Sequence, residues 1–463
     1  MDATLQIKNA VTRIAAADLV MKGVSDLLSF EVPNSHFAMR RMPPGVWDGR
    51  KRLMKKDGSF PAGLTPQVLA YLKSQGIVYK VEDLRVKPEP SLTFKLRSDL
   101  IPRPHQAKWA AITGERVRGV GIVGTGGGKS IMQAMTIHAR RVPTLVVVPD
   151  KGLKEQLTDD FSYWLDAKHG VIGGDLKGDY PVVVVNIHQV PRAKPEQLAR
   201  FHMLLIDEFH HAAADSYLTL NALTSMAYWR YGMTGTLVRT DSKDMMMLGV
   251  LSNILMKKTT SDLIEEGFLV PAHVTIIPHR VKKTSKFSYK EAYAHMAADP
   301  EFNALVAKVA RHKIREERKQ TLILVRQIEH GRLIESMLAG DGVFVSGDDP
   351  MEFRQKVKRD FAEKKIRCMI ATNIFGEGQD IASIDVLVNA RLQESEIQTK
   401  QGVGRALRLA KGAQTIAESV ALGKSCAEVF DFLIQGNKHL RDHSETRIEH
   451  YRSERAFRVT IED

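Results

Sequence analysis

The segment GVGIV-GTGGGKS-IMQAMTIHA sets Gly124, Thr125, Gly126, Gly127, Gly128, Lys129 and Ser130 between an apolar, strand-like run and a helix-like run. These residue types in this order suit phosphate. Glycines let successive backbone N–H groups converge on phosphate oxygens, and a helix N-terminus adds positive potential. Lys129 can reach the β- and γ-phosphates of ATP, and the Ser130 hydroxyl can ligate Mg²⁺. Val123 stands where the strict GxxxxGK[ST] pattern has glycine. The other reading is a flexible glycine turn with an exposed lysine; the strand–loop–helix order favours the phosphate site.

A second set follows in MLLIDEFH, where four apolar residues carry Asp207 to a strand end. There Asp207 can bind Mg²⁺ directly or through water, and Glu208 can orient or deprotonate an attacking water. Two acids after a strand are also what a solvated strand end looks like; a phosphate loop in the same domain favours the catalytic reading. His210 and His211 lack the carboxylate or cysteine spacing of a zinc site, and His210 is read as a link to a nucleic-acid side. Far downstream, QGVGRALR holds Arg405 and Arg408 at i, i+3. One helix face carries both, so they can bring positive charge to a γ-phosphate. A solvated basic helix is the alternative, against which Gly402 and Gly404 argue for close backbone approach.

Elements must position these residues. Apolar runs at 119–123, 144–148, 182–187 and 203–206 alternate with helix-length segments, which predicts a parallel sheet covered on both faces. The pattern restarts with runs at 273–277, 321–325, 342–345, 366–371 and 384–388, with a helix expected at 301–318. The expected organisation is a separate N-terminal domain over 1–87, a proline-bearing linker over 88–104, and α/β domains over 105–266 and 267–463. The join lies near Gly267, and the charged tail from about 435 reads as part helix, part strand.

The whole chain has 463 residues and a net charge of +13, a balance that speaks for polyanionic partners. In 36–60, seven Lys and Arg face two Asp, a net of +5. Arg50, Lys51, Arg52, Lys55 and Lys56 beside Trp47-Asp48-Gly49 can form a turn presenting cations to phosphates; a buried Trp47 with solvated charges is the alternative. Two cysteines exclude a disulfide framework. No apolar run is long enough to span a membrane, so an intracellular protein that meets nucleic acid is expected.

These motifs resemble those of a superfamily 2 helicase across most of 100–460. LIPRPHQ is similar to the adenine-recognition motif, which implies that Gln106 reads the adenine edge with Arg103 nearby. LVVVPDKGLKEQ resembles motif Ia, DEFH motif II, and MTGT motif III; the resemblance implies that the Thr234 and Thr236 hydroxyls couple hydrolysis to strand movement. IATNIFGEGQDI resembles motif V, with Thr372 toward the strand and Gly378 and Asp380 toward the nucleotide. QGVGRALR matches QxxGRxxR, giving Gln401, Arg405 and Arg408. Motif III has Gly235 where many relatives have Ala. The resemblance implies two tandem RecA-like parallel-sheet domains sharing an ATP cleft, behind a small α+β N-terminal domain. LIEEGFLVP at 263–271 and the tail pattern of His443, Ser444, Arg447 and Tyr451 resemble the UvsW/XPB-like branch. GVWDGRKRL resembles the small DNA-binding domain that precedes the motor in UvsW-type helicases, which implies that 1–87 is a duplex-DNA-binding domain. The implied activity is an ATP- and Mg²⁺-dependent DNA helicase or translocase that unwinds or branch-migrates forked and junction DNA. An RNA helicase and a passive junction-binding protein with a decayed ATPase are the alternatives. A restriction-type translocase is disfavoured, since no nuclease-like cluster of acids and lysine lies outside the motor.

Overall fold

Strands built from unbroken β-branched runs bury both faces, and here they assemble two seven-stranded sheets. The computed structural model describes residues 2–32, 35–40, 43, 46–166, 170–209, 214–235, 242–282, 286–372, 384–393 and 396–462; for 38, 214–215, 242–244, 396–398 and 401 it describes the backbone alone. The chain divides into one unit of residues 1–123 and 128–257 and a second of 124–127 and 258–463.

In the first unit the large sheet runs in the order Ile254–Lys258, Arg118–Val123, Trp229–Thr234, Met203–Asp207, Thr144–Val148, Val182–Asn186, Ile172–Gly173. Arg118–Val123, Trp229–Thr234 and Met203–Asp207 are parallel neighbours in register, with Met233 beside Asp207 and Thr234 beside Ile122. Their C-terminal ends therefore meet along one sheet edge, where open α/β sheets bind ligands. Trp229–Thr234 escapes the sequence reading because Arg230 interrupts its apolar character. The structure buries that arginine completely, and its guanidinium donates to the Ala227 and Thr224 carbonyls, Asn221 Oδ1 and Thr224 Oγ1.

The N-terminal region forms a four-stranded sheet, in the order Ser59–Pro61, Val11–Ala16, Ala3–Ile7, Tyr79–Asp83, with helices Asp18–Leu27 and Thr65–Ser74. It is α+β, as expected, but it is not a module apart. Its core of Leu5, Ile14, Val24, Phe60, Val68 and Leu72 also takes in Met246 of the helix Ser242–Leu251. A Cβ at Gly63 would lie 2.1 Å from the Leu248 carbonyl oxygen. The expected linker is likewise fastened down. Phe94 is buried in the core against the seven-stranded sheet of the first unit, and the N–H groups of Ser91 and Leu92 both donate to the Arg141 carbonyl at 2.9 Å. Prolines punctuate this stretch without freeing it.

The second unit carries the other sheet, in the order Val343–Val345, Cys368–Ala371, Thr321–Leu324, Val386–Asn389, Ala427–Gln435, Ala272–Arg280, Phe457–Ile461. It begins at Lys258 and not near Gly267, because Leu263, Ile264, Leu269 and Val270 are buried in its core. The tail forms the helix Lys438–Arg452 and the edge strand Phe457–Ile461. The tail pattern has a packing explanation. Arg447 and Asp431, each 1% exposed, pair at 2.9 Å, Tyr451 Oη donates to Asp431 Oδ2 at 2.6 Å, and Ser444 Oγ accepts from the Ile434 N–H at 3.2 Å. Removing one partner of a buried pair strands the other charge, at about 3–5 kcal/mol. We expect Arg447→Ala to lower unfolding free energy by that order in denaturant titrations, and Arg447→Met with Asp431→Leu to recover much of it. Unchanged unfolding of Arg447→Ala would mean the pair does not anchor this helix.

Candidate active site

The phosphate loop takes a shape that needs glycine, with Gly126 at φ +84 and Gly128 at φ +77. The Gly127 N–H donates to the Gly124 carbonyl at 3.0 Å, and the Gly124 N–H to the Lys258 carbonyl at 2.9 Å. Gly128 caps the helix Lys129–Arg140, so Lys129 and Ser130 open it. Gln106 is buried beside this point, and a Cβ at Gly128 would fall 2.3 Å from its Nε2. Gln106 Oε1 accepts the Arg103 N–H at 2.9 Å, which orients the amide at the start of the helix Pro104–Glu115.

Across the sheet edge, Lys129 Nζ donates to Glu208 Oε1. Glu208 Oε2 accepts from Thr234 Oγ1 at 3.2 Å and from the Gly235 N–H at 3.3 Å. Glu208 is nearly buried and holds a left-handed φ of +44, a conformation costing a non-glycine residue about 1 kcal/mol or more. The strand therefore ends on a strained residue whose carboxylate joins the loop lysine to the end of Trp229–Thr234. Asp207 Oδ1 accepts from Gln133 Nε2 at 2.8 Å. Burial first, then the neighbouring Glu208 charge, push the Asp207 carboxyl up to about 7, against the pull of Lys129. Gln133 is a site residue that the motif reading missed. The available signal was its place one turn after Lys129, on the same helix face.

The second unit holds the arginine motif. Arg405 is buried in the last turn of the helix Glu396–Ala406, whereas Arg408 is half-buried just past the helix end, so the two do not share one helix face. The glycines do serve close approach: within this unit a Cβ at Gly402 would lie 2.8 Å from Arg391 Nη2, and one at Gly404 would lie 2.4 Å from Thr125 Cβ. Thr372 is buried, just past the strand Cys368–Ala371. His210, Thr236, Gly378, Asp380 and the Gln401 side chain lie outside the described residues.

The N-terminal basic turn forms, but much of its charge is committed. Trp47 is half-buried, and its Nε1–H donates to the Arg50 carbonyl at 2.8 Å. Arg52 forks onto Asp48 at 3.1 and 2.6 Å, holding that carboxyl down to about 2. Arg50 donates to Ser29 Oγ and its carbonyl at 2.9 and 3.0 Å. Lys51 is half-buried; Lys55 and Lys56 are exposed.

Two family models match the chain: "Type III restriction enzyme, res subunit" over residues 99–239 and "Helicase conserved C-terminal domain" over 303–410. The chain is 26% identical over 442 residues to the ATP-dependent DNA helicase uvsW of Enterobacteria phage T4, covering 88% of this chain and 87% of that protein. It is 23% identical over 379 residues to the DNA 3'-5' translocase XPB2 of Sulfurisphaera tokodaii, covering 72% and 84%. A fragment of a putative HsdR subunit of a type I restriction enzyme from Vibrio vulnificus shares the fold at 17% identity and a TM-score of 0.56, covering 74% of this chain and 69% of that one.

The raised Asp207 pKa has a consequence for the free protein. Its native value of about 7 lies above the ordinary 3.8, so between these the native state binds more protons than the unfolded one, and stability falls as pH rises. With a chelator and no nucleotide, melting temperature should decline from about pH 4 to about pH 7, and Asp207→Asn should flatten that decline. Parallel profiles for the two proteins would assign it to other groups.

Proposed function

We propose that the chain is an ATP-dependent helicase of superfamily 2 resembling UvsW, which couples ATP hydrolysis to movement along DNA and unwinds or branch-migrates forked and junction duplexes. The observation that carries this reading is the Glu208 carboxylate, shared by Lys129, Thr234 and the Gly235 N–H. ATP offers Lys129 a better partner in its phosphates, so nucleotide binding releases Glu208 from the ammonium. The freed carboxylate can then accept the proton of the attacking water. Its bonds to Thr234 and Gly235 tie that change to the end of the strand Trp229–Thr234, which is how hydrolysis would be passed on as movement.

The remaining residues take supporting parts. The loop amides cradle phosphate oxygens, and the buried Gln106 amide beside Gly128 meets the adenine edge. The Ser130 hydroxyl and the Asp207 carboxylate form a hard, sparse oxygen set. Such a set suits Mg²⁺, which completes its shell with phosphate and water; the bound ion would neutralise developing phosphate charge. Gln133 fixes the Asp207 carboxylate for this task. Gly404 against Thr125 supports a role for the adjacent Arg405, with Arg408, at the γ-phosphate.

The DNA part of the reading rests on the similarity to a DNA helicase and a DNA translocase and on the basic N-terminal region. Lys55 and Lys56, with Lys51, are the cations for phosphate contacts, while Arg50 and Arg52 brace the turn that carries them. A grip of this kind is strongly salt-dependent and needs no base readout.

Lys129→Ala should abolish DNA-stimulated hydrolysis, and Glu208→Gln should retain ATP binding while losing turnover. Arg408→Ala should bind nucleotide and hydrolyse it about 10³-fold more slowly. Near wild-type turnover in all three variants would remove the assignment. For the substrate, ATPase and unwinding should be compared on a fork, a four-way junction, linear duplex and single-stranded RNA. Stimulation by RNA above the branched DNAs would overturn the DNA reading. Because the N-terminal sheet shares the motor's core, charge reversal tests it more cleanly than truncation. Lys55→Glu with Lys56→Glu should lower the salt slope of fork binding by roughly one per lost contact.

A further inference from the structure

At the opposite end of the same strands, two arginines stand side by side. Arg118 begins the strand Arg118–Val123 and is the register partner of Arg230 on Trp229–Thr234. Like charges at paired positions repel; Arg230 is fully buried and Arg118, though half-buried overall, has its Nη1 out of reach of water. Among the described residues, the hydrogen-bond partners of the Arg230 guanidinium are all neutral oxygens. Arg118 Nη2 donates to the Asn9 carbonyl at 2.6 Å, and its Nη1 is buried with no hydrogen-bond partner among the described residues. A buried guanidinium without a counter-ion is destabilising in proportion to the hydration it has lost.

Beside them, between the N-terminal sheet and the motor sheet, lies a cavity of about 330 Å³. Arg85, Arg116 and Arg118 line it, with apolar wall from Ile7, Leu69 and Leu255, and among the described residues none that line it is acidic. Arg85 is already answered by Asp83 through two bonds of 2.8 and 2.5 Å. Arg116 is exposed and has no ion pair among the described residues. Positive charge here thus exceeds what the described residues balance.

We propose that this cavity is an anion site that takes a phosphate group, separate from the ATP loop. The guanidinium fork matches phosphate oxygens bidentately, and a dianionic phosphate ester balances the two unanswered cations, Arg116 and Arg118. The cavity volume lies at the lower end of the range of about 300–1,000 Å³ that holds small ligands, and the apolar wall suits a ligand body beyond the phosphate. Burial, reinforced by Arg85, holds the Arg118 guanidinium down to about 10, a penalty that a bound anion reverses. The phosphate could belong to a mononucleotide or to a nucleic-acid backbone. This inference does not depend on the DNA reading above.

The test is melting of the full chain with inorganic phosphate, AMP or a short DNA duplex at constant ionic strength, for wild type, Arg118→Gln and Arg116→Ala. The ATP loop is intact in all three, so differences between them report this cavity. At about ten times its dissociation constant, phosphate should raise the wild-type melting temperature by about 3 °C more than it raises either variant's. Without phosphate, Arg118→Gln should melt no lower than wild type, because it removes an unbalanced charge. The exposed Arg116→Ala keeps the test decisive should Arg118→Gln fail to fold. An arginine-dependent rise with AMP assigns a small phosphate ester; one seen with the duplex and not with AMP assigns a backbone phosphate. Equal responses in all three proteins, or no response in wild type, would overturn the site.

Discussion

A lysine ammonium held between a glycine loop and a strand-end carboxylate is the interaction around which the first unit is arranged. Lys129 donates to Glu208, and Glu208 accepts in turn from Thr234 and the Gly235 N–H. Glu208 and the Thr234–Gly235 pair lie at the ends of two different strands, and Lys129 follows a third through the glycine loop. The parallel order Arg118–Val123, Trp229–Thr234, Met203–Asp207 brings those termini to one edge, and the left-handed Glu208 turns its side chain back along it. The adjacent Asp207 shares the low-dielectric setting, which is why its carboxyl resists ionisation until a cation or a proton answers it.

The two ends of this sheet solve opposite electrostatic problems. At the C-terminal edge two carboxylates are crowded, and Lys129 and Gln133 answer them. At the N-terminal edge the guanidiniums of Arg118 and Arg230 meet neutral oxygens among the described residues, and Asp83 is taken up by Arg85. Carbonyl and amide oxygens lower the cost of burying a guanidinium without cancelling its charge. The second unit shows the fully balanced case, in which Asp431 meets Arg447 and Tyr451 within one buried cluster.

Charge counted along a chain is also not charge available to a partner. The +5 segment at 36–60 contains Arg52, which its neighbour Asp48 neutralises at i, i+4, and Arg50, which is bound to Ser29. What remains on the surface is smaller and more localised, centred on Lys55 and Lys56. The same folding that ties these arginines down also draws the N-terminal sheet onto Met246 and Gly63 onto the Leu248 carbonyl. A composition change therefore marks a region of the chain without marking a mechanical boundary.

Local order in the chain determined much of this protein. The apolar runs define their strands, since a run of Val and Ile must bury both faces wherever it lies, and the glycine loop with Lys129 and Ser130 must sit between strand and helix. The tandem α/β arrangement and the Asp207–Glu208 pair follow from the same reasoning. Tertiary structure alone decided the rest, because it depends on which strands become neighbours. It assigned Gln133 to Asp207, made Glu208 the partner of Lys129, turned Arg230 into a buried strand residue beside Arg118, and placed the unit boundary at Lys258. Periodicity reports which faces a segment buries; it carries no record of what those faces are buried against.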